Sequence, residues 1–81
     1  QMLPYEIVDF TLTNNLFEDI IEFNGQNGCR YNIYYKDNEQ NVLIESVVCN
    51  GDIVKIILKK ANIFKHYDYY VEFQQEENKI I

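Results

Sequence analysis

The stretch Cys29-Arg30-Tyr31-Asn32-Ile33-Tyr34-Tyr35-Lys36 decides the fold class. In an extended chain Cys29, Tyr31, Ile33 and Tyr35 fall on one side, and Arg30, Asn32, Tyr34 and Lys36 on the other. Successive strand side chains point to opposite faces, so a period of two reads as a strand with one buried and one wet face. A helix would scatter the same apolar residues around its circumference.

The neighbouring segments repeat the pattern. Asp37–Asn41 is wholly polar and reads as the loop of a hairpin whose second arm is Val42–Cys49. That arm is apolar on both faces apart from Glu45 and Ser46, which predicts cover on both sides. Asn50-Gly51 predicts a two-residue type I′ hairpin turn, because both residues accept positive φ. The turn leads into Ile53–Leu58, with Val54, Ile56 and Leu58 facing in and Lys55 and Lys59 facing out. Upstream, Asn24–Gly28 is the clearest break in the chain. Before it, Glu18–Phe23 sets Ile21 and Phe23 against Glu18 and Glu22. Ile7–Thr13 sets Val8, Phe10 and Leu12 against Asp9, Thr11 and Thr13, and Asn14-Asn15 favours a turn. Downstream, Lys59–Phe64 loses the alternation and predicts a short helical turn, with Ile63 or Phe64 plugging the core. Tyr67–Gln74 restores it, with Tyr67, Tyr69, Val71 and Phe73 opposite Asp68, Tyr70, Glu72 and Gln74. Gln75–Ile81 is mostly polar and reads as a frayed tail, in which Ile80 and Ile81 are able to add a short strand.

Six to seven short strands at intervals of about ten residues, without a long helix, are the spacing of a small antiparallel β-sandwich or a partly open barrel. The whole chain, 1–81, fits one domain. Its apolar share of 47% and aromatic share of 15% suffice for one core and exclude a disordered chain. Thirteen acids against seven bases give a net charge of −6. That sign repels phosphate backbones, so direct nucleic-acid binding and a nucleic-acid-binding barrel are disfavoured. No apolar run approaches the ~18–20 residues needed to span a bilayer, and no basic-then-apolar leader opens the sequence. Gln1-Met2 is compatible with a natural start at Met2 or with a segment of a longer chain.

Chemistry finds little purchase. The only histidine, His66, needs a nucleophile and an orienting partner to work, and neither Cys29 nor Cys49 carries a local signature for that role. Two cysteines and one histidine do not make a zinc site, and the two thiols read as unpaired in a reducing compartment, with a disulfide closing about 20 residues as the alternative. Glu18-Asp19, Glu22 and Glu76-Glu77 are close in sequence, but strand neighbours point to opposite faces. Asp37–Asn41 offers oxygen donors without the glycine and closing glutamate of a calcium loop. No glycine-rich phosphate loop is present. The expectation is a protein without catalytic residues, cofactor or metal.

Contact surfaces are better marked. Tyr34 and Tyr70 fall on faces otherwise polar, and tyrosine joins a rigid apolar body to a polar tip. Lys55 and Lys59, with Lys60 and Lys65, form a basic patch on an acidic chain. These four residues (Tyr34, Tyr70, Lys55 and Lys59) are the expected interface. The alternative is an acidic surface of Glu18, Asp19 and Glu22 that blocks a basic groove on a partner enzyme, as an anti-defence or immunity protein would. A carbohydrate platform is a third option, weakened by the absence of tryptophan.

Tyr5-Glu6-Ile7-Val8-Asp9-Phe10-Thr11-Leu12 resembles the opening of the N-terminal domain of phage baseplate upper proteins. The resemblance continues through Asp19-Ile20-Ile21, Gln26, Arg30-Tyr31 and Asp37-Asn38, and returns at Asn50-Gly51-Asp52-Ile53-Val54 and Tyr69-Tyr70-Val71. It covers about two thirds of the chain. The sequence departs from that pattern in lacking a longer middle segment after Asn41, and in placing His66-Tyr67 where a glycine is usual. The resemblance implies an immunoglobulin-like β-sandwich that attaches a receptor-binding or fibre component to a virion, often as a trimer. Its partners would be proteins, its location the virion or the host cytoplasm, and it carries over no catalytic residue.

Overall fold

A computed structural model describes residues 5–74, with side chains from residue 7 onward. The tail expected over 75–81 lies outside the described residues. Seven strands form: β1 (Tyr5–Val8), β2 (Thr11–Asn14), β3 (Glu18–Asn24), β4 (Arg30–Asp37), β5 (Gln40–Val48), β6 (Ile53–Lys59) and β7 (Tyr69–Gln74). One sheet has the order β1-β7-β4-β5 and the other β2-β3-β6, with every pairing antiparallel. The all-β sandwich expected from the alternation is what forms. The connections β1→β2, β3→β4, β5→β6 and β6→β7 pass between the sheets, and β1 lies beside β7.

The core draws on both sheets, because each strand turns its apolar set inward. Ile21 and Phe23 of β3 and Val54 and Ile56 of β6 meet Tyr31 and Ile33 of β4, Val71 of β7, and Cys49. Phe23, Tyr31 and Phe73 pack ring against ring, with centroids 5.0 and 5.3 Å apart. The Tyr31 hydroxyl is satisfied at the rim, where it accepts the Gln26 backbone N–H at 2.9 Å. Burying such side chains stabilises the fold by roughly 1.5–3 kcal/mol each.

Several expectations are corrected. Ile7–Thr13 is not one strand: the chain leaves β7 at Asp9-Phe10 and joins β3 as β2. The alternation runs through the break because Val8 and Phe10 face the same core from both sides of the switch. Asn50-Gly51 does not close a hairpin. Strand β5 pairs with β4 and β6 with β3, so the turn is a corner between sheets. Only Gly51 takes a positive φ there, at 107°, and its N–H donates to Asn27 Oδ1 at 2.8 Å. The residue chemistry of a tight hairpin also suits such a corner, which sequence does not distinguish. The β4–β5 hairpin does form, with register up to Asp37↔Gln40 and Asn38 at φ 60°.

Strand β5 is not covered on both sides. It is the edge of its sheet, and Leu43 and Val48 are exposed. A register shift opposite Ile33/Tyr34 makes Ile44 the extra residue, which turns Ile44 towards the core and leaves Glu45 exposed. The segment after β6 forms a turn closed by Lys65 N–H to Asn62 O at 3.1 Å, without a helix. Phe64 does not plug the core and is 90% exposed.

Candidate functional site

Strand alternation sends Arg30, Asn32 and Tyr34 of β4 to the outer face of the four-stranded sheet. There they meet Gln74, Glu72 and Tyr70 of β7 and Val48, Ser46 and Leu43 of β5. Tyr34 and Tyr70 are directly opposite, and their rings stack at 4.9 Å with planes 13° apart. Each half-buried ring covers one face of the other, which does not leave a flat two-ring platform for a sugar. Burial first, and the Glu72 charge second, raise the Tyr70 hydroxyl above the usual tyrosine range.

A polar relay crosses the same face. Arg30 Nη1 donates to Ser46 Oγ at 3.0 Å, Ser46 Oγ donates to Asn32 Oδ1 at 2.8 Å, and Asn32 Nδ2 donates to Gln74 Oε1 at 3.2 Å. It joins β5, β4 and β7 and satisfies Asn32, which is buried. Beside it, Glu72 Oε1 is buried without a hydrogen-bond partner among the described residues. Around this polar centre lie exposed apolar side chains: Ile7 at 69%, Leu43 at 53% and Val48 at 51%.

Lys55 and Lys59 do not join the tyrosines. They stand on the outer face of the other sheet, where Lys55 is opposite Glu22 and Lys59 opposite Glu18. Asp19 is separated from both glutamates, because it follows Ile21 and Phe23 inward and is 2% exposed. It accepts a hydrogen bond from the Tyr69 hydroxyl of the facing sheet and lies 3.9 Å from Lys60 Nζ. The acidic and basic patches expected from sequence are therefore one charge-matched surface with one acid turned inside. Setting aside these three acids and three lysines leaves ten acids and four bases, so the net −6 resides elsewhere.

Sequence reading missed the tyrosine cluster between the sheets. Tyr35, Tyr67 and Tyr69 line a groove of about 340 Å³ with Ile44, Leu58 and Lys60. Tyr35 meets Tyr67 edge-on at 5.4 Å, Tyr67 lies 6.2 Å from Tyr69, and Lys65 Nζ sits 5.0 Å over the Tyr67 ring. Burial foremost, then the hydrogen bond to Asp19 and its negative charge, push the Tyr69 hydroxyl well above the usual range. The signal was present as three inward tyrosines on two strands, but not the free edge that opens onto them.

The candidate chemical groups are dispersed. His66 lies 3.6 Å from Asp68, both largely exposed. Asp68 O accepts the Lys36 N–H at the far end of β4 from Cys29 and Cys49, a strand length of roughly 20 Å. The two cysteines are free thiols held by reciprocal loop contacts, including Cys49 N–H to Cys29 O at 2.8 Å. The Asp37–Asn41 oxygens border a tight turn, and among the described residues no group of three or more His, Cys, Asp or Glu is placed to hold a metal ion. No helix among the described residues is long and apolar enough to cross a membrane.

The chain matches no family model, no curated protein and no solved structure.

Proposed function

We propose that this chain is a non-enzymatic protein–protein contact module, a structural or adaptor piece of a phage virion at a baseplate or fibre attachment. It engages its partner, including further copies of itself, through the outer face of the β1-β7-β4-β5 sheet. One observation carries the reading: the Tyr34–Tyr70 stack and its polar relay are ringed by exposed Ile7, Leu43 and Val48. Aromatic anchors amid exposed apolar side chains are the composition of an association surface. The virion role comes from the sequence resemblance alone, with which a β-sandwich is compatible. Lys55 and Lys59 are not part of this face, and Glu18, Asp19 and Glu22 do not gather into the acidic surface that an enzyme inhibitor would need.

Light scattering during size-exclusion chromatography tests the proposal, at low salt and at ~1 M salt, where the Debye length is about 3 Å. The expected result is an oligomer, a trimer on the resemblance, that persists at high salt and dissociates in the Tyr34→Ser/Tyr70→Ser variant. A monomer at both salt concentrations overturns self-assembly through this face.

A further inference from the structure

We propose that the free edge of β6 and the tyrosine groove beside it accept an extended segment of a partner protein as an eighth strand, with apolar and acidic residues alternating along that segment. The proposal rests on the protein–protein reading above and adds a second surface and the chemistry of its occupant.

Strand β6 ends its sheet, so alternate residues turn their N–H and C=O groups away from β3. Its seven residues pair with β3 from Glu18↔Lys59 to Asn24↔Ile53 without a register shift, which leaves a regular template. The other long edge, β5, is interrupted where Ile44 is inserted. The two remaining edge strands, β1 and β2, have only four residues each.

The groove lies where a fourth strand of the β2-β3-β6 sheet would point its inward side chains. Leu58 bounds it from β6, Ile44 from β5, and Tyr35, Tyr67 and Tyr69 from behind. About 340 Å³ falls in the size range of ligand sites and has room for apolar side chains. Outward residues of an added strand would meet Ile53, Lys55, Ile57 and Lys59, of which Ile57 is 55% exposed. Lys55 and Lys59 have glutamates opposite them on β3, and their other flank is the sheet edge. An acidic residue there completes a Glu–Lys–acid ladder, whereas a basic one is repelled. Edge lysines also deter indiscriminate strand pairing, so the same residues select the partner they admit.

The test uses the full ¹⁵N-labelled chain and seven-residue, end-capped peptides. One peptide alternates valine and glutamate, and another alternates valine and lysine. Two further versions of the glutamate peptide carry N-methyl groups on one or the other alternate set of backbone nitrogens. Expected are shifted amide signals and slowed hydrogen exchange over Ile53–Lys59. The glutamate peptide should bind at least about tenfold more tightly than the lysine peptide. N-methylation should abolish binding in one version and leave the other bound, because only one set of nitrogens faces β6. Equal binding of glutamate and lysine peptides, equal tolerance of both methylation patterns, or no change over Ile53–Lys59 would each overturn the proposal. If the peptides fail while Tyr34→Ser/Tyr70→Ser still disrupts self-association, this proposal alone falls. If both fail, the interaction-module reading falls with it.

Discussion

Removing the Tyr69 hydroxyl should destabilise the fold more than removing the Lys60 charge. Asp19 is a carboxylate at 2% exposure, reached by the Tyr69 hydroxyl across the sandwich and by Lys60 Nζ at 3.9 Å. The lysine distance lies beyond the ~2.7–3.2 Å of an N–H···O hydrogen bond, so Lys60 acts as a nearby charge. A hydrogen bond to a charged group is worth about 1.5–3 kcal/mol. Tyr69→Phe keeps the ring packing and deletes only that bond, which gives an expected loss of about 2 kcal/mol. Lys60→Met keeps the stem and removes a charge on a side chain 12% exposed. The lysine's own desolvation cost is recovered and Asp19 keeps its hydrogen bond from Tyr69, so the expected loss is about 1 kcal/mol. A domain of this size is stable by only roughly 4–12 kcal/mol, so the larger loss is readily measured. Urea unfolding, followed by circular dichroism, gives both values if the slope m is unchanged. A Tyr69→Phe cost below about 0.5 kcal/mol, or a Lys60→Met cost above that of Tyr69→Phe, would show that the hydroxyl is not what holds Asp19.

The same hydroxyl gives stability a pH dependence. Its folded-state pKa is raised above the unfolded value near 10, so the unfolded chain releases a proton that the folded chain keeps. Stability should be fully present below pH ~10 and fall as pH rises beyond it, with a shallower fall in Tyr69→Phe. A parallel decline in both proteins across a urea-midpoint series from pH 8 to 11 would sink this assignment. Gly25→Ala should cost about 1–3 kcal/mol, because a Cβ there would meet buried Cys49 Sγ at 2.9 Å and Tyr31 Cε2 at 3.1 Å. Adding Cys49→Ala should recover part of the loss in thermal melts, whereas additive losses would place the strain elsewhere. Asn38→Val should lower stability by roughly 1–2 kcal/mol, since Asn38 occupies φ 60° and a β-branched residue does not tolerate it. Asn38→Gly should be neutral or better by the same melt.

Faces were legible in the sequence, and partners were not. The period of two placed Tyr31, Ile33, Val54, Ile56 and Val71 in the core because alternation is a local property. It also placed Tyr34 and Tyr70 outward, though their stack depends on β7 pairing with β4, a contact between strands more than 30 residues apart. Which strand pairs with which is set by long-range packing, and so Asn50-Gly51 read as a hairpin when it is a corner. The same limit hid the match of Glu22 to Lys55 and Glu18 to Lys59, and with it the cancellation of two expected patches. Asp19 is a different case. It was expected on an acidic surface with Glu18 and Glu22, although alternation puts it on the side of Ile21 and Phe23. A buried carboxylate needs a partner, and Tyr69 and Lys60 are found only in three dimensions.

The placement of charge ties the two proposed surfaces to different physics. Because the lysines of β6 and the glutamates of β3 neutralise one another, an acidic partner approaches the β2-β3-β6 sheet without the repulsion that the chain's net −6 implies. The tyrosine face of the other sheet, which carries Arg30 and Glu72 beside the ring stack, must instead hold its partner by apolar burial, and an identical chain is repelled at long range by the net charge of −6. Salt therefore acts oppositely on the two. Screening removes the repulsion between chains of like net charge and leaves the apolar contact of the tyrosine faces intact, whereas it weakens the ladder of lysines and acids at the β6 edge. A partner held through both surfaces would show a shallow salt dependence, because the two effects offset. Replacing Tyr34 and Tyr70 by serine would then uncover the steep salt dependence of the lysine edge alone.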